Sequence, residues 1–113
     1  MCNRQGVSGL DQLTVQIVRF VDDNQPGWVA CEFVDAEGRR HELIDKVPIF
    51  SDVMLDETST YPQAGGARCT ILDRWSDVNS RELVRVSTVK PDGIESSEGL
   101  SEFVVLSSQV SGL

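Results

Sequence analysis

Nucleophilic catalysis is the first chemistry to consider, because the chain has three cysteines and a single histidine, His41. A thiolate nucleophile needs an imidazole within hydrogen-bond reach and a carboxylate that orients the ring. The strand pattern around the histidine places Cys31 diagonally from it on one sheet face. However, Cys31 and Cys69 both stand in apolar runs, where burial raises a thiol's pKa and makes cysteine a small hydrophobic residue. We therefore predict no catalytic residue and interpret His41 as an ordinary sheet residue, half-buried beside Phe33.

Metal and phosphate sites fit the sequence no better than catalysis does. The three cysteines lack a Cys-x-x-Cys pair, and one histidine is too few for a structural zinc site. Acidic residues at 22–23 and within 73–82 lack the ligand spacing and central glycine of a calcium loop. Residues 63–68 lack the Gly-Lys-Ser/Thr ending of a phosphate-binding loop, which favours a simple turn. We predict no metal and no cofactor.

Five residues are candidates for binding. Trp28 begins a predicted strand and Trp75 ends another, and tryptophan at a strand end either fills a core or anchors a partner. Arg39 and Arg40 stand beside His41 at a predicted hairpin tip, where they face solvent or meet an anionic group. The candidate binding residues are therefore Trp28, Arg39, Arg40, His41 and Trp75.

A predicted β-hairpin positions most of these candidates. Residues 35–38, Asp-Ala-Glu-Gly, begin with an aspartate that can bond its own backbone and end with a glycine that accepts a left-handed conformation. This turn joins predicted strands at 28–34 and 39–44. Its type sets the register, with Phe33 opposite His41, Cys31 opposite Leu43 and Glu32 opposite Glu42. The first two pairs form an apolar face, and the third belongs to a wetter face.

Turn signals divide the rest of the chain into further strands. Alternation over 13–21 predicts a strand with Leu13, Val15, Ile17 and Val21 on one face, ended by a turn centred on Pro26-Gly27. Three more strands are predicted at 67–75, 82–89 and 101–106. Turns are predicted at 63–66 and 90–99, and a loop at 76–81. Residues 47–50 fit an edge strand or a buried irregular segment, and at most one helical turn is expected within 51–62, through Met54 and Leu55.

About six strands without a helix of ten residues predict an all-β domain. The chain is expected to form a single domain over 1–113, a small antiparallel barrel or sandwich, with loose tails at 1–9 and 108–113. Closure into a barrel would remove the strand edges that promote aggregation.

Charge narrows the expected partners. The 113 residues include 18 acidic and 10 basic side chains, a net charge of −8. An acidic surface argues against nucleic acid and anionic membranes, which both need a basic face. No apolar run approaches the length of a membrane span, and no signal-peptide pattern is present. We therefore expect a cytoplasmic protein. The first interpretation of its acidic surface is that it keeps a small protein soluble, and the alternative is that it meets a basic partner, such as a protein.

Several segments resemble a group of small bacterial β-proteins with no assigned function. The resemblance lies in residues 23–29, 35–41 and 46–49, Asp-Asn-Gln-Pro-Gly-Trp-Val, Asp-Ala-Glu-Gly-Arg-Arg-His and Lys-Val-Pro-Ile, and extends over about Leu13 to Leu106. Proteins of this type are similar in strand pattern to the β-barrel domains of elongation factor Tu. That likeness implies a barrel of about six strands and no active-site residue.

These observations favour a non-enzymatic protein-interaction module in a bacterial cytoplasm. One variant is an immunity-type protein that neutralises a basic toxin, with charge steering the encounter. The alternative is a small-molecule binder that uses the mouth of a barrel, with His41, Arg85 or Trp75 in the pocket. The chain is expected to be a monomer or a homodimer paired through strand edges, with residues 47–50 as the expected edge.

Overall fold

The computed structural model describes residues 11–112 as a curled antiparallel sheet that forms a half-barrel. Its strands are β1 Asp11–Asp22, β2 Trp28–Val34, β3 Arg40–Lys46, β4 Gln63–Ser76, β5 Glu82–Ser87, β6 Glu102–Leu106 and β7 Val110–Gly112. A helical turn, α1 Val47–Phe50, and a 3₁₀ turn, Ser107–Gln109, lie between strands. The strand order is β3-β2-β1-β4-β5-β6, and β7 pairs with β1. The all-β prediction is confirmed.

The two ends of β1 present their apolar residues differently. Leu13, Val15 and Ile17 alternate inward and are buried, as predicted. The pairing with β2 then shifts between Ile17 and Arg19, which marks a β-bulge, and shifts again before Asp22. Because the first shift reverses the alternation, Phe20 takes the inward position and Val21 points outward with 44% of its surface exposed. The prediction that Val21 shares the buried face is therefore wrong.

The turn after β1 is displaced by one residue from its predicted position. The N–H of Gly27 donates to the carbonyl of Asn24 at 2.6 Å. Gln25 and Pro26 are therefore the central pair, rather than Pro26 and Gly27. Gly27 follows with a φ of 95°, and a Cβ there would lie 3.2 Å from the ring of Phe20. The backbone conformation favours glycine here, and a Cβ would also crowd the Phe20 ring.

The predicted turn at 63–66 is wrong, because these residues open strand β4. Gly65 lies opposite Val15, and Gly66 lies opposite Thr14. A Cβ on Gly65 would lie 2.8 Å from both the Ile17 side chain and the Phe50 carbonyl oxygen. Glycine at this position therefore permits close packing within a strand. The later half of β4 pairs with β5, so this strand joins the two halves of the sheet.

The segment predicted as an edge strand or irregular stretch at 47–50 is the helical turn α1. Proline is tolerated in a first helical turn, and Val47 and Phe50 bury their side chains. Residues 51–62 contain no helix, so the single helical turn considered through Met54 and Leu55 does not form. Leu55 nevertheless joins the core at 6% exposure. Since α1 is not a strand, it cannot be the pairing edge that the sequence suggested.

The C-terminal segment is ordered into regular structure up to residue 112. The 3₁₀ turn after β6 leads into β7, where Val110 lies opposite Leu13. The expectation of a loose tail at 108–113 is therefore wrong for its described part. The other expected tail, residues 1–9, lies outside the described residues.

The core fills the concave side of the curled sheet. Its buried members come from every long strand, from α1 and from the connecting loops; they include Leu13, Ile17, Val29, Leu43, Phe50, Val84, Ile94 and Phe103. The loop between β5 and β6 lies along β3, since Ser96 forms a bridge with Leu43 and the N–H of Ser97 donates to the Glu42 carbonyl at 2.9 Å. This loop ties the β3 side of the sheet to the β6 side.

Candidate functional site

The hairpin of β2 and β3 has the predicted register and buries His41. Phe33 lies opposite His41, and Cys31 lies opposite Leu43. All four side chains are buried. The His41 ring packs between Phe33 and Phe103, with centroid separations of 5.2 Å and 4.9 Å. His41 is the sheet residue beside Phe33 that the sequence predicts, but it is buried, at 4% exposure, and not half-buried as expected.

The imidazole of His41 is held by the first residue of its own turn. Nε2 lies 2.7 Å from Oδ2 of Asp35, and Oδ1 of the same carboxylate accepts the N–H groups of Glu37 and Arg39. Because an ionised carboxylate only accepts, Nε2 carries the proton. Nδ1 of His41 is buried without a partner among the described residues. The pair therefore connects the turn to the core through one short hydrogen bond.

Electrostatics keep Asp35 ionised in this position. Burial by itself raises the pKa of the carboxyl group. The hydrogen bond from His41 and those from the backbone of Arg39 and Glu37 outweigh burial, so the pKa of Asp35 lies below its ordinary value. A carboxylate and the imidazole that it orients are two of the three members of a nucleophilic triad. The decisive question is whether a nucleophile, the third member, lies beside the ring.

Neither buried thiol has the character of that third partner. Burial raises the pKa of Cys31 to about 12. Burial, with the nearby charge of Asp11, raises the pKa of Cys69 to about 11. Both thiols are therefore protonated at neutral pH, in agreement with the sequence prediction of inert buried cysteines.

A serine that the sequence analysis did not consider lies in the same cleft as the histidine. Ser96 and His41 line one cleft of about 180 Å³ between β3 and the loop before β6. However, Oγ of Ser96 accepts the N–H groups of Glu98 and Leu100, so its lone pairs hold the turn together. Ser96 therefore stabilises its turn, and the hydrogen bond between Asp35 and His41 holds the hairpin turn against the core.

Three turns share the pattern built around Asp35. In each, a side-chain oxygen of the first residue accepts the N–H groups of the third and fifth residues, and the fourth residue has a positive φ. The turns span residues 35–39, 77–81 and 96–100. The sequence predicts the first and last from their glycines and misses 77–81, where Ser80 has a φ of 64°. Its Asp-x-x-x-Arg spacing, shared with 35–39, is the signal that identifies it.

The remaining hairpin candidates are held by local charge contacts. Nζ of Lys46 lies 5.7 Å from the ring centroid of Trp28, at the end of the hairpin farthest from its turn. Arg39 reaches Glu98 at 3.4 Å, and Arg40 reaches Glu32 at 3.8 Å. These arginines and their partners are exposed or half-exposed.

Trp75 lies on the outer face of the β4–β5–β6 half of the sheet. It lies directly opposite Leu83, which lies directly opposite Leu106. Directly opposed residues share a face, so the three side chains form one apolar row. Leu83 is only 7% exposed although it points away from the main core, while Trp75 is 40% exposed. The next row along the strands is charged, since Arg85 bonds both Asp73 and Glu102.

The five candidate residues do not form one site. Trp28 and Arg40 stand at opposite ends of a hairpin whose strands are about 20 Å long. His41 points into the core beside Arg39 and Arg40, which point outward. Trp75 belongs to the other half of the sheet. Any binding role therefore divides among separate surfaces.

Two classes of site find no support in the part of the chain that the structure describes. Within residues 11–112, no group of three or more histidine, cysteine, aspartate and glutamate side chains is placed to hold a metal ion. Over the same residues, no helix has the length and apolar character needed to cross a membrane.

Comparison with known proteins yields no match. No family model matches the chain, and no curated protein or solved structure is significantly similar to it. The likeness to small bacterial β-proteins and to elongation factor Tu barrel domains stays a prediction.

Proposed function

We propose that this protein is a non-enzymatic interaction module and that Trp75 anchors a protein partner. The observation that carries the proposal is the apolar row of Trp75, Leu83 and Leu106 on an outer sheet face. In an antiparallel sheet with one face on the core, the other face is normally polar. Apolar residues in that position, with an exposed tryptophan at the edge of the row, are typical of a partner surface.

A contrast within the sheet supports this choice of surface. The outer face of the β1–β2–β3 half carries ion pairs, with Arg19 near Glu42 and Arg40 near Glu32, beside the exposed Val34 and Ile44. Ion pairs between exposed side chains are typical of a sheet face that is in contact with water. An apolar cleft of about 350 Å³, lined by Leu72 and Val89, lies on the β4–β5–β6 half of the sheet. Both residues are more than 40% exposed.

A protein partner suits this molecule better than a small molecule in a barrel mouth. The concave side of the sheet is occupied by core side chains such as Leu13, Ile17 and Phe103. Of the residues considered for such a pocket, His41 is bonded to Asp35 and Arg85 is bonded to Asp73 and Glu102.

The test compares three immobilised baits in a lysate of the source organism: the wild type, Trp75→Ala and Val78→Ala. Val78 is 99% exposed in the adjacent loop and controls for loss of an exposed apolar side chain. We expect proteins retained by the wild type and Val78→Ala and lost by Trp75→Ala. A protein found this way is then purified, and its affinity for all three forms is measured by calorimetry. Equal binding to all three would contradict the proposal.

A further inference from the structure

The turn between β1 and β2 and the loop 51–62 enclose an apolar groove at one end of the sheet. Phe20 and Pro26 line it from the turn side, and Met54 and Leu55 line it from the loop side. Asp23 and Asp56 also line it. The groove has a volume of about 210 Å³. Gln25 and Gly27 complete the lining. We call this groove the acidic groove, because its two charged residues are both carboxylates.

Packing of the loop leaves apolar side chains at the rim of the groove. Leu55 is 6% exposed and belongs to the core, so it fixes the loop against the sheet. The two residues before it point into solvent, with Val53 57% and Met54 74% exposed. Methionine is a flexible and polarisable side chain that adapts to varied partners. A small groove with an exposed methionine at its rim is suited to receive an apolar side chain.

The two charged residues that line the groove, Asp23 and Asp56, are both acidic. Asp22, Asp52 and Glu57 are exposed in the same two segments that supply Asp23 and Asp56. Neither residues 20–38 nor residues 47–67 contain a lysine or arginine. Of the basic residues that adjoin these stretches in sequence, Arg19 contacts Glu42 and Lys46 lies over the ring of Trp28. The rim therefore attracts cations and repels anions.

The carboxylate of Asp56 has a defined ionisation state and position. Oδ1 accepts the hydroxyl of Thr58 at 2.6 Å and its N–H at 2.8 Å. These hydrogen bonds, the hydroxyl first, lower the pKa of Asp56. The Tyr61 hydroxyl also donates to the Asp56 carbonyl at 2.8 Å. The loop is therefore held in place by its own polar contacts.

We propose that the acidic groove binds a basic polypeptide segment that carries an apolar side chain. The apolar side chain enters between Phe20 and Leu55, and lysine or arginine residues beside it meet Asp23 and Asp56. Charge complementarity selects this occupant, because an acidic peptide or an anionic lipid surface would face a rim of carboxylates. The groove and the Trp75 row lie on different parts of the sheet, so this proposal does not depend on the function proposed above.

The test uses a synthetic peptide that alternates lysine and leucine, titrated into ¹⁵N-labelled protein at low ionic strength. We expect amide shifts concentrated in residues 20–27 and 52–57, and none for a matched peptide that alternates glutamate and leucine. Binding should weaken strongly in about 1 M salt, where the Debye length is about 3 Å. Shifts centred on any other surface, or no binding at low salt, would overturn the proposal.

Matched variants separate the groove from general acidity. Met54→Ala should weaken peptide binding about tenfold, and Asp23→Asn combined with Glu57→Gln about fivefold. Val78→Ala, and Glu37→Gln combined with Glu95→Gln, make the same changes at exposed positions outside the groove and should leave the affinity unchanged. If these controls weaken binding as much as the groove variants do, the peptide binds by charge alone and the proposal fails. Trp75→Ala should bind the peptide normally, which distinguishes this result from the test of the proposed function.

Discussion

Nε2 of His41 donates a hydrogen bond to Oδ2 of Asp35 over 2.7 Å, six residues back along the same hairpin. The contact joins the first residue of the turn to the one histidine of the chain, buried between Phe33 and Phe103. A buried imidazole is tolerated only when its N–H has an acceptor. The turn residue that shapes the backbone thus also satisfies the core.

Removal of the Asp35 carboxylate should destabilise the fold more than removal of the corresponding carboxylate, Asp77, in the turn between β4 and β5. Asp35→Ala should lower the free energy of unfolding by about 3 kcal/mol, because the buried N–H of His41 loses its acceptor. Asp77→Ala removes the same two backbone contacts, but its other partner is the exposed Arg81. It should therefore cost less. Urea unfolding of both variants measures the difference, and equal losses would show that the histidine contact contributes nothing.

Acid should destabilise the protein partly through Asp35. Its folded-state pKa lies below the ordinary value of 3.8, since hydrogen bonds from His41 and the turn backbone outweigh the effect of burial. The ionised group therefore stabilises the fold above about pH 4, and this contribution is lost as pH falls through the folded-state pKa. Asp35→Asn, which does not titrate, should lose less stability than the wild type between about pH 4 and about pH 2. Urea titrations across this range that give parallel curves would refute the assignment.

Ser80→Gly should stabilise the protein. Ser80 has a φ of 64°, in the left-handed region that costs a residue with a Cβ about 1 kcal/mol. The corresponding positions of the two similar turns are Gly38 and Gly99. Glycine should raise the free energy of unfolding by up to about 1 kcal/mol, whereas Ser80→Ala should not raise it. Thermal unfolding of both variants provides the measurement. A gain for alanine equal to that for glycine would mean that backbone conformation is not the cause.

Gly65→Ala should be destabilising by about 2 kcal/mol, through overpacking. Its Cβ would meet the Phe50 carbonyl oxygen and the Ile17 side chain, both at 2.8 Å, and the carbonyl cannot move without shifting α1. At Gly66, a Cβ would meet only the side chain of Gln12 among its near neighbours, and that side chain can turn away. Gly66→Ala should therefore cost less. Chemical denaturation ranks the two, and the reverse order would disprove this account of β4.

The two buried thiols should resist alkylation in the native state. In a Cys2→Ser variant only Cys31 and Cys69 report, and burial raises their pKa values to about 12 and about 11. Iodoacetamide at neutral pH should modify neither residue until urea unfolds the chain, because the thiolate is the reactive form. Mass spectrometry of native and unfolded samples gives the readout. Rapid native modification of either cysteine would reopen the catalytic interpretation.

Local patterns account for the parts of the fold that were predicted well. The hairpin of β2 and β3 was predictable because residues 35–38 specify both turn and register, and alternation then places Phe33 opposite His41. The turn at 77–81 is missed by a search for glycine, because Ser80 occupies the position where glycine is the usual signal. The inward direction of Cys31 and Cys69 followed from their apolar neighbours in the same way.

The predictions are wrong where a contact with a residue distant in the chain determines the conformation or direction of a residue. Glycines at 63–66 suggested a turn, but Gly65 is small because Ile17 and Phe50 approach its backbone. Val21 followed the alternation of β1 until bulges, visible only in the pairing with β2, turned it outward. The last residues looked polar and loose, yet Val110 pairs with Leu13 at the far end of the chain.

By itself the sequence determined an all-β chain with an acidic surface, since side-chain period and turn chemistry are local properties and charge is a sum over residues. Tertiary structure alone decided that His41 packs against Phe103, that Trp75 joins Leu83 and Leu106 in an outer apolar row, and that Met54 stands at the rim of an acidic groove. Each of these relationships depends on which strands and loops become neighbours. That choice is made by the packing of residues far apart in the chain, which no local pattern encodes.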